Sequence, residues 1–336
     1  MFEGSSVLIT GGTGSFGRQF AKTLLAEHNP ERCIVFSRDE LKQYQMRQEA
    51  GLGDDRRLRY FIGDVRDKQR VIRAFRGVDY VVHAAALKQV PACEYNPFEA
   101  IRTNIIGAQN VIDAAIDRGV RRVVALSTDK ACNPVNLYGA TKLCADKLFA
   151  AGNSYAGASD TRFSVVRYGN VVGSRGSVIP YFLKRRRVGR LPVTHEEMTR
   201  FFIPLKQGVR FVINSFYRMG GGEIFVPKIP SMKIVDLARA LAPDCEIDIV
   251  GIRPGEKLHE VMISRADARH TLDLGEFFVI TPEFSRWTDE GKWTGQSGIE
   301  VDDGFCYRSD ENDRWLSCEE LRANLATTTD LPTGSR

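Results

Sequence analysis

An apolar run, Val7–Thr10, passes without a linker into the glycine-rich stretch GGTGSFG (Gly11 to Gly17), and an amphipathic helical pattern begins near Phe16. Gly11, Gly14 and Gly17 fall at three-residue intervals. At a strand-to-helix junction the three glycines serve different ends, namely a tight turn, close approach of the backbone to a pyrophosphate, and packing of helix on sheet. The helix N-terminus then presents unpaired N–H groups to the phosphates. The pattern predicts a dinucleotide-binding loop contacted through Gly11, Thr13, Gly14, Ser15, Phe16 and Gly17. Glycine triplets also occur in plain turns, so the setting between a first strand and a first helix carries the inference.

Further short β-branched runs alternate with helical patterns: Cys33–Phe36, Tyr60–Ile62, Tyr80–His83, Val123–Ser127 and Phe163–Val166. Strands that alternate with helices predict a parallel sheet. These runs are apolar nearly throughout, as expected when helices cover both faces. The predicted fold class is α/β, a doubly wound parallel sheet of Rossmann type over residues 1–168. After Tyr168 come a Gly-rich, basic stretch, the run Gly221–Pro227, a helical run Lys233–Leu241 and the turn-rich Gly251–Lys257. Residues 169–336 are therefore expected to form mainly a smaller substrate-binding domain, with some segments returning to the sheet. An irregular extension with Trp287, Trp293 and Trp315 closes on a short helix, Cys318–Leu325.

Composition narrows the function. The 336 residues include 43% hydrophobic and 26% charged side chains, ordinary for a folded globular protein. Seven scattered cysteines without a C-x-x-C pair argue against a disulfide framework or zinc site, and the five histidines include no i, i+4 pair, so no metal is expected. A strand-like run starts within six residues, no 18-residue apolar stretch follows, and the expected compartment is the cytoplasm, with no membrane partner. The net charge of +5 and the run Lys184 to Arg190 raise nucleic acid as a partner. Without interleaved aromatics the run reads instead as a solvated helix face that helps attract an anionic substrate, and no nucleic acid is expected.

The second run ends in Ser37-Arg38-Asp39, where a dinucleotide site distinguishes its adenosine ribose. A hydroxyl and a guanidinium fork suit a 2′-phosphate, so NADP is predicted; Asp39, aimed at a 2′-hydroxyl, would instead favour NAD. Asp64, after the third run, is placed either at an adenine edge or as the cap of a helix starting near Lys68. Small residues in His83–Lys88 let a cofactor lie close to the backbone, and His83 itself reads as a core histidine.

After the fifth run come Ser127-Thr128-Asp129-Lys130 and then Tyr138-Gly-Ala-Thr-Lys142. Tyr138 and Lys142 are four apart and share a helix face. A nearby ammonium lowers the phenol's pKa, so that Tyr138 can exchange a proton with a hydroxyl or ketone while hydride moves to or from a nicotinamide. Y-x-x-x-K alone arises by chance in many helices; its place after a fifth strand, with Ser/Thr upstream, makes it specific.

The glycine loop, Ser127/Thr128 and Tyr138-x-x-x-Lys142 together resemble the extended short-chain dehydrogenase/reductases. Within them SRDELKQ, GDVRD, HAAALKQVP, STDKA, NLYGATKL, RYGNVVGSRGSV, FVPKIPSMK and GIRPGEKLHEVM resemble the C5-inverting UDP-N-acetylglucosamine 4,6-dehydratase group of pseudaminic acid biosynthesis. The likeness covers nearly all of the chain to about residue 263 and is looser beyond. It implies that Thr13 to Phe16, Ser37, Arg38, Asp39, Glu40, Leu41, Lys42, Asp64, Val65, Ala84 and Lys88 hold the cofactor, and that Tyr138, Lys142, Val171, Val172, Gly173, Ser174 and Arg175 close over its nicotinamide end. Lys88, Asn170, Val178, Thr194, Arg253 and Glu256 are implied contacts of UDP-N-acetylglucosamine, with spacing around Thr194 departing from the group. A homo-oligomer is implied as well, a hexamer being one form it could take.

The implied reaction is an internal redox cycle. Tyr138, aided by Thr128 and Lys142, takes the O4 proton as hydride leaves C4; C5 then loses a proton while the C6 hydroxyl departs; hydride returns to C6. Asp129 and Lys130 would serve the middle step if the carboxyl were protonated and the amine neutral. Their plain alternative is a helix cap and a solvated lysine. A 4-epimerase would leave this pair idle, a retaining glucose-type enzyme usually carries Asp-Glu there, and a non-catalytic NADP(H)-sensing protein would often lack Tyr or Lys.

Overall fold

The computed structural model describes residues 1–49, 51–174, 176–282 and 298–326. Six parallel strands come from the first half of the chain: β1 (Ser6–Thr10), β2 (Arg32–Ser37), β3 (Leu58–Ile62), β4 (Tyr80–His83), β5 (Arg122–Thr128) and β6 (Arg162–Tyr168). They lie in the order 3-2-1-4-5-6. The winding reverses between β1 and β4, which opens a crevice at the carboxyl ends of those strands.

The lack of alternation in β1 has a direct cause. Val7 and Ile9 face an apolar layer with Phe20, Leu24, Val212 and Phe216, while Leu8 faces the opposite layer with Val71, Val111, Ala115 and Phe149. Helices Ser15–Glu27 and Leu205–Arg218 supply the first layer; helices Lys68–Ala74, Gly107–Arg118 and Leu137–Tyr155 supply the second. Each large side chain so buried contributes about 1.5–3 kcal/mol. β3 begins two residues before the expected run Tyr60–Ile62, and as the sheet edge it turns Arg59 to solvent. Edge charges of this kind discourage pairing with another chain.

Beyond residue 168 the chain divides between two places. Ile224–Pro227 adds to β6 in parallel, and Phe277–Ile280, Thr271–Asp273 and Ile299–Glu300 follow antiparallel, completing ten strands among the described residues. Leu205–Arg218 also packs on the sheet; the expectation of a Gly-rich, basic stretch passed over it, although Val209, Val212, Ile213 and Phe216 recur at helical spacing. The rest forms a smaller lobe with its own core of Phe182, Leu191, Phe202, Leu237 and Leu321. In it, helices Val178–Arg185, Ile234–Leu241 and Cys318–Ala326 surround the parallel pair Arg190–Val193 and Glu246–Ile249.

The basic run Lys184 to Arg190 is exposed on this lobe. Trp287 and Trp293 lie outside the described residues, whereas Trp315 is partly exposed and bridges to Ser231. Among the described residues no helix is long and apolar enough to cross a membrane, and no group of His, Cys, Asp and Glu could hold a metal ion.

Candidate active site

A cleft of about 950 Å³ lies between the carboxyl ends of the strands and the smaller lobe. Its first wall is the glycine loop. Gly11 has φ +65, and a Cβ there would come within 2.9 Å of the Ala85 backbone; a Cβ on Gly17 would run into the backbone of Gly12. Both positions exclude side chains for steric reasons, and the loop they shape is a cradle whose backbone a pyrophosphate can approach closely. Thr13, Gly14, Ser15 and Phe16 also line the cleft, and Thr13 Oγ1 lies 2.9 Å from Ser37 Oγ, tying the loop to the end of β2.

Ser37, Arg38 and Lys42 face the cleft, as do Asp64, Val65, Ala84 and Lys88. Asp39, Glu40 and Leu41 do not. Asp39 caps helix Glu40–Arg47 by accepting from Lys42 N at 2.9 Å and pairs with Lys42 Nζ at 2.8 Å, which holds its carboxylate below the ordinary range. Glu40 and Leu41 point outward from that first turn, Leu41 61% exposed. Asp64 is not the cap of helix Lys68–Ala74; Asp67 takes that role by accepting from Arg70 N. Asp64 instead stands beside Arg38 (3.7 Å) and Arg66 (2.6 Å). His83 is a core residue, its Nδ1 2.9 Å from Thr10 Oγ1, and burial followed by the charge of Lys142 lowers its pKa to about 3.

Helix Leu137–Tyr155 starts at Asn136, whose Oδ1 accepts from Gly139 N and whose Nδ2 donates to Gly255 O, both at 2.8 Å. One residue thus caps the helix and fixes the Arg253–Glu256 turn beside it. Tyr138 and Lys142 lie on the buried face of the helix and line the cleft with Thr128. Burial pushes the Tyr138 phenol up to about 12, and the cation that pulls it back is Lys130, not Lys142. Lys142 is lowered by burial and partly restored by Asp146, one helical turn on. Asp146 in turn accepts from Ser127 Oγ at 2.7 Å and pairs with buried Arg167 at 3.3 Å. Ser127 is therefore engaged with the scaffold, leaving Thr128 as the hydroxyl beside Tyr138.

Asp129 and Lys130 occupy a one-turn 3-10 segment after β5, capped by Thr128. Asp129 is fully buried behind Lys130, off the cleft wall, so it reaches the cleft only through its neighbours. Its Oδ1 accepts from Thr128 Oγ1 (2.8 Å) and Lys130 Nζ (3.0 Å), while its Oδ2 has no hydrogen-bond partner among the described residues. Burial raises the carboxyl's pKa. Lys130 is not by itself the neutral amine that the middle step needs. Its ammonium lies 3.0 Å from Asp129 and 3.3 Å from Glu260, and these carboxylates outweigh burial and raise its pKa.

Sequence reasoning passed over four groups here. Glu260 and Lys257 lie within GIRPGEKLHEVM, a stretch read only for Arg253 and Glu256; Arg200 follows the segment whose spacing departs from the group. Asn104 had no signal: it sits in a π-helical turn, Arg102–Ile106, inside an otherwise α-helical stretch. There it accepts from Leu87 N at 2.8 Å and donates to Leu87 O and Thr141 Oγ1, joining the loop after β4 to the Tyr138 helix. Such turns recur at functional sites because they re-aim one side chain within a rigid helix. Asn170, Val171, Ser174, Val178, Thr194, Arg253 and Glu256 all line the cleft. Val172 is buried in the core of the smaller lobe, Gly173 is off the wall in a left-handed turn, and Arg175 lies outside the described residues.

The family described as "Polysaccharide biosynthesis protein" matches residues 7–282. A "UDP-N-acetylglucosamine 4,6-dehydratase (inverting)" of Campylobacter jejuni subsp. jejuni serotype O:23/36 (strain 81-176) is 56% identical over 96% of this chain and 97% of its own. A "UDP-glucose 4-epimerase" of Rickettsia canadensis (strain McKiel) is 41% identical over 97% of each chain. Among solved structures, Pen from Bacillus thuringiensis superposes with a TM-score of 0.87, 38% identity and coverage of 97% of this chain and 98% of that one. DesIV, a dTDP-glucose 4,6-dehydratase from Streptomyces venezuelae with NAD and TYD bound, superposes with a TM-score of 0.67, 25% identity and coverage of 75% and 86%.

Proposed function

The chain belongs to the polysaccharide biosynthesis protein family of extended short-chain dehydrogenase/reductases and is an enzyme of hydro-lyase type, and from that premise we propose that it converts UDP-N-acetylglucosamine to UDP-2-acetamido-2,6-dideoxy-β-L-arabino-hex-4-ulose, inverting C5. The observation that carries this reading is the convergence of Tyr138, Thr128, Lys142 and Lys130 on one cleft, with Asp129 paired to Lys130 from beneath the wall. In this reading the protein is a cytoplasmic homo-oligomer at the first step of a pseudaminic acid-type route.

The cradle at Gly11 and Gly17 fits a nicotinamide dinucleotide, and Ser37 and Arg38 at the end of β2 favour NADP. When bound, an oxidised nicotinamide would supply a hydride acceptor and a positive charge. Tyr138, ionised to the phenolate as that charge and Lys130 lower its pKa, takes the O4 proton beside Thr128. In this reading Lys130, on the wall, takes the C5 proton once it has passed its own to Asp129 at 3.0 Å. The departing C6 hydroxyl leaves as water with a proton from this pair, and C5 regains one from the opposite face. Lys88, Asn170, Val178, Thr194, Arg253 and Glu256 are assigned to the sugar nucleotide.

A second reading, C4 epimerisation, draws on the epimerase relatives. It uses Tyr138 and Lys142 but leaves Lys130 and its two carboxylates without a role. Incubation of the protein with UDP-N-acetylglucosamine in D₂O, followed by NMR, separates the two: a 4-keto-6-deoxy product with deuterium at C5 is expected, and a 4-epimer without C5 deuterium would refute the dehydratase reading.

A further inference from the structure

Lys130 lies between two carboxylates that differ in their surroundings. Asp129 is fully buried, and the cation in contact with it is Lys130 itself. Glu260, 2% exposed, is within 4 Å of three cations: Lys130 (3.3 Å), Arg200 (3.6 Å) and Lys257 (3.7 Å). Its backbone is pinned by donation of Glu260 N to Ser309 Oγ at 2.9 Å, and Lys257 is anchored by donation to Cys132 O at 2.6 Å. Glu260, Arg200 and Lys257 all line the cleft beside Lys130. A carboxylate ringed by cations stays ionised, whereas one buried with a single ammonium is the easier of the two to protonate. A proton leaving Lys130 therefore goes to Asp129, and Glu260 remains an anion throughout.

We propose that Glu260 is the positioning residue of the C5 proton step: a fixed anion that holds Lys130 on the cleft wall and sets the pH above which the amine acts as a base. This rests on the dehydratase reading above. The remaining charged and titratable groups facing Lys130 are Arg200 and Lys88, which favour its neutral form, and the Tyr138 phenol. Removing the negative charge of Glu260 shifts that balance toward the amine, and removing a cation that competes for Glu260 shifts it the other way.

The test follows C5 hydrogen–deuterium exchange of UDP-N-acetylglucosamine in D₂O as a function of pH, by mass spectrometry, on the full chain loaded with NADP. In Glu260→Gln the ascending limb of the exchange rate is expected to move down by one pH unit or more, while Glu260→Asp keeps the parental limb. Lys257→Met, which leaves Glu260 in place, is expected to move the limb up. Superposable limbs in Glu260→Gln and the parent overturn the proposal. So does a uniform fall in rate at every pH, the signature of a merely structural role. If Glu260→Gln does not fold, Lys257→Met decides: a limb that stays or moves down overturns it. A parent that forms product with no C5 exchange fails the dehydratase reading itself, an outcome distinct from exchange that is present but indifferent to residue 260.

Discussion

At the glycine-loop end of the cleft the lining groups come from β1, β2 and β3 with their connections, within Gly11 to Val65, and from the loop after β4, whose Ala85 backbone closes on Gly11; Thr13 meets Ser37 across 24 residues. Around Lys130 the groups come from β5, helix Leu137–Tyr155, the strand at Thr199–Ile203 and the segment near Glu260. The first end is shaped by where side chains are missing; the second by buried charges that neutralise one another. Shape can be written into consecutive residues, but a balance of charges exists only once the chain is folded. The two ends should accordingly fail in different ways.

The largest contrast is expected from Tyr138→Phe, which deletes one oxygen at the charge-rich end. Turnover should fall by roughly 10²–10⁴-fold while the cofactor binds as before; product NMR beside a cofactor titration checks both, and near-parental activity would mean that another group activates O4. Next, Asp146→Ala strips the counter-charge from buried Arg167, whose Nη1 also donates to Met262 O at 2.9 Å near Glu260. An uncompensated buried charge costs about 3–5 kcal/mol, measurable as a lower urea midpoint; an unchanged midpoint would show that Asp267, 3.8 Å away, takes over.

A smaller effect is expected at the shape-built end. Arg38→Ala should weaken NADP by about 1.5 kcal/mol, the low end for a charge-assisted contact because Arg38 is half exposed, and leave NAD affinity unaltered. Equal affinity of the parent for both cofactors would remove the basis for this assignment. The last concerns His83 beneath the cleft, and its effect is spread over several pH units. Its folded pKa, about 3, lies below the ordinary value of 6.5, so the unfolded chain binds the extra proton first as pH falls. The stability from keeping His83 neutral is present above pH 6.5 and is lost between there and pH 3, at up to about 1.4 kcal/mol per pH unit. His83→Asn should flatten that part of a urea-derived stability profile, and parallel profiles would refute the assignment.

The six parallel strands, the glycine loop and the Tyr138/Lys142 face were legible because each depends on neighbours within one or two turns of chain: a run of apolar residues, a three-residue glycine spacing, a four-residue helical repeat. Helix Leu205–Arg218 carried the same kind of signal and was passed over. Asp39 was misjudged for a local reason too, since its carboxylate is taken by the N–H of Lys42, a competition that the order of residues allows but does not decide.

What the sequence by itself determined, then, is the doubly wound sheet, the cradle, and the residue types that could move a proton. Only the tertiary structure decided the state of those residues. The proton chemistry read from Asp129-Lys130 needs a neutral amine, yet Lys130 is held charged by Glu260 as well as Asp129; the cation beside the Tyr138 phenol is Lys130; Asn104 is aimed by a π-helical turn. The reason is physical. Backbone geometry follows from short-range sterics and hydrophobic periodicity, whereas a buried group's charge follows from every charge and dipole within several ångströms, most of which arrive from distant parts of the chain.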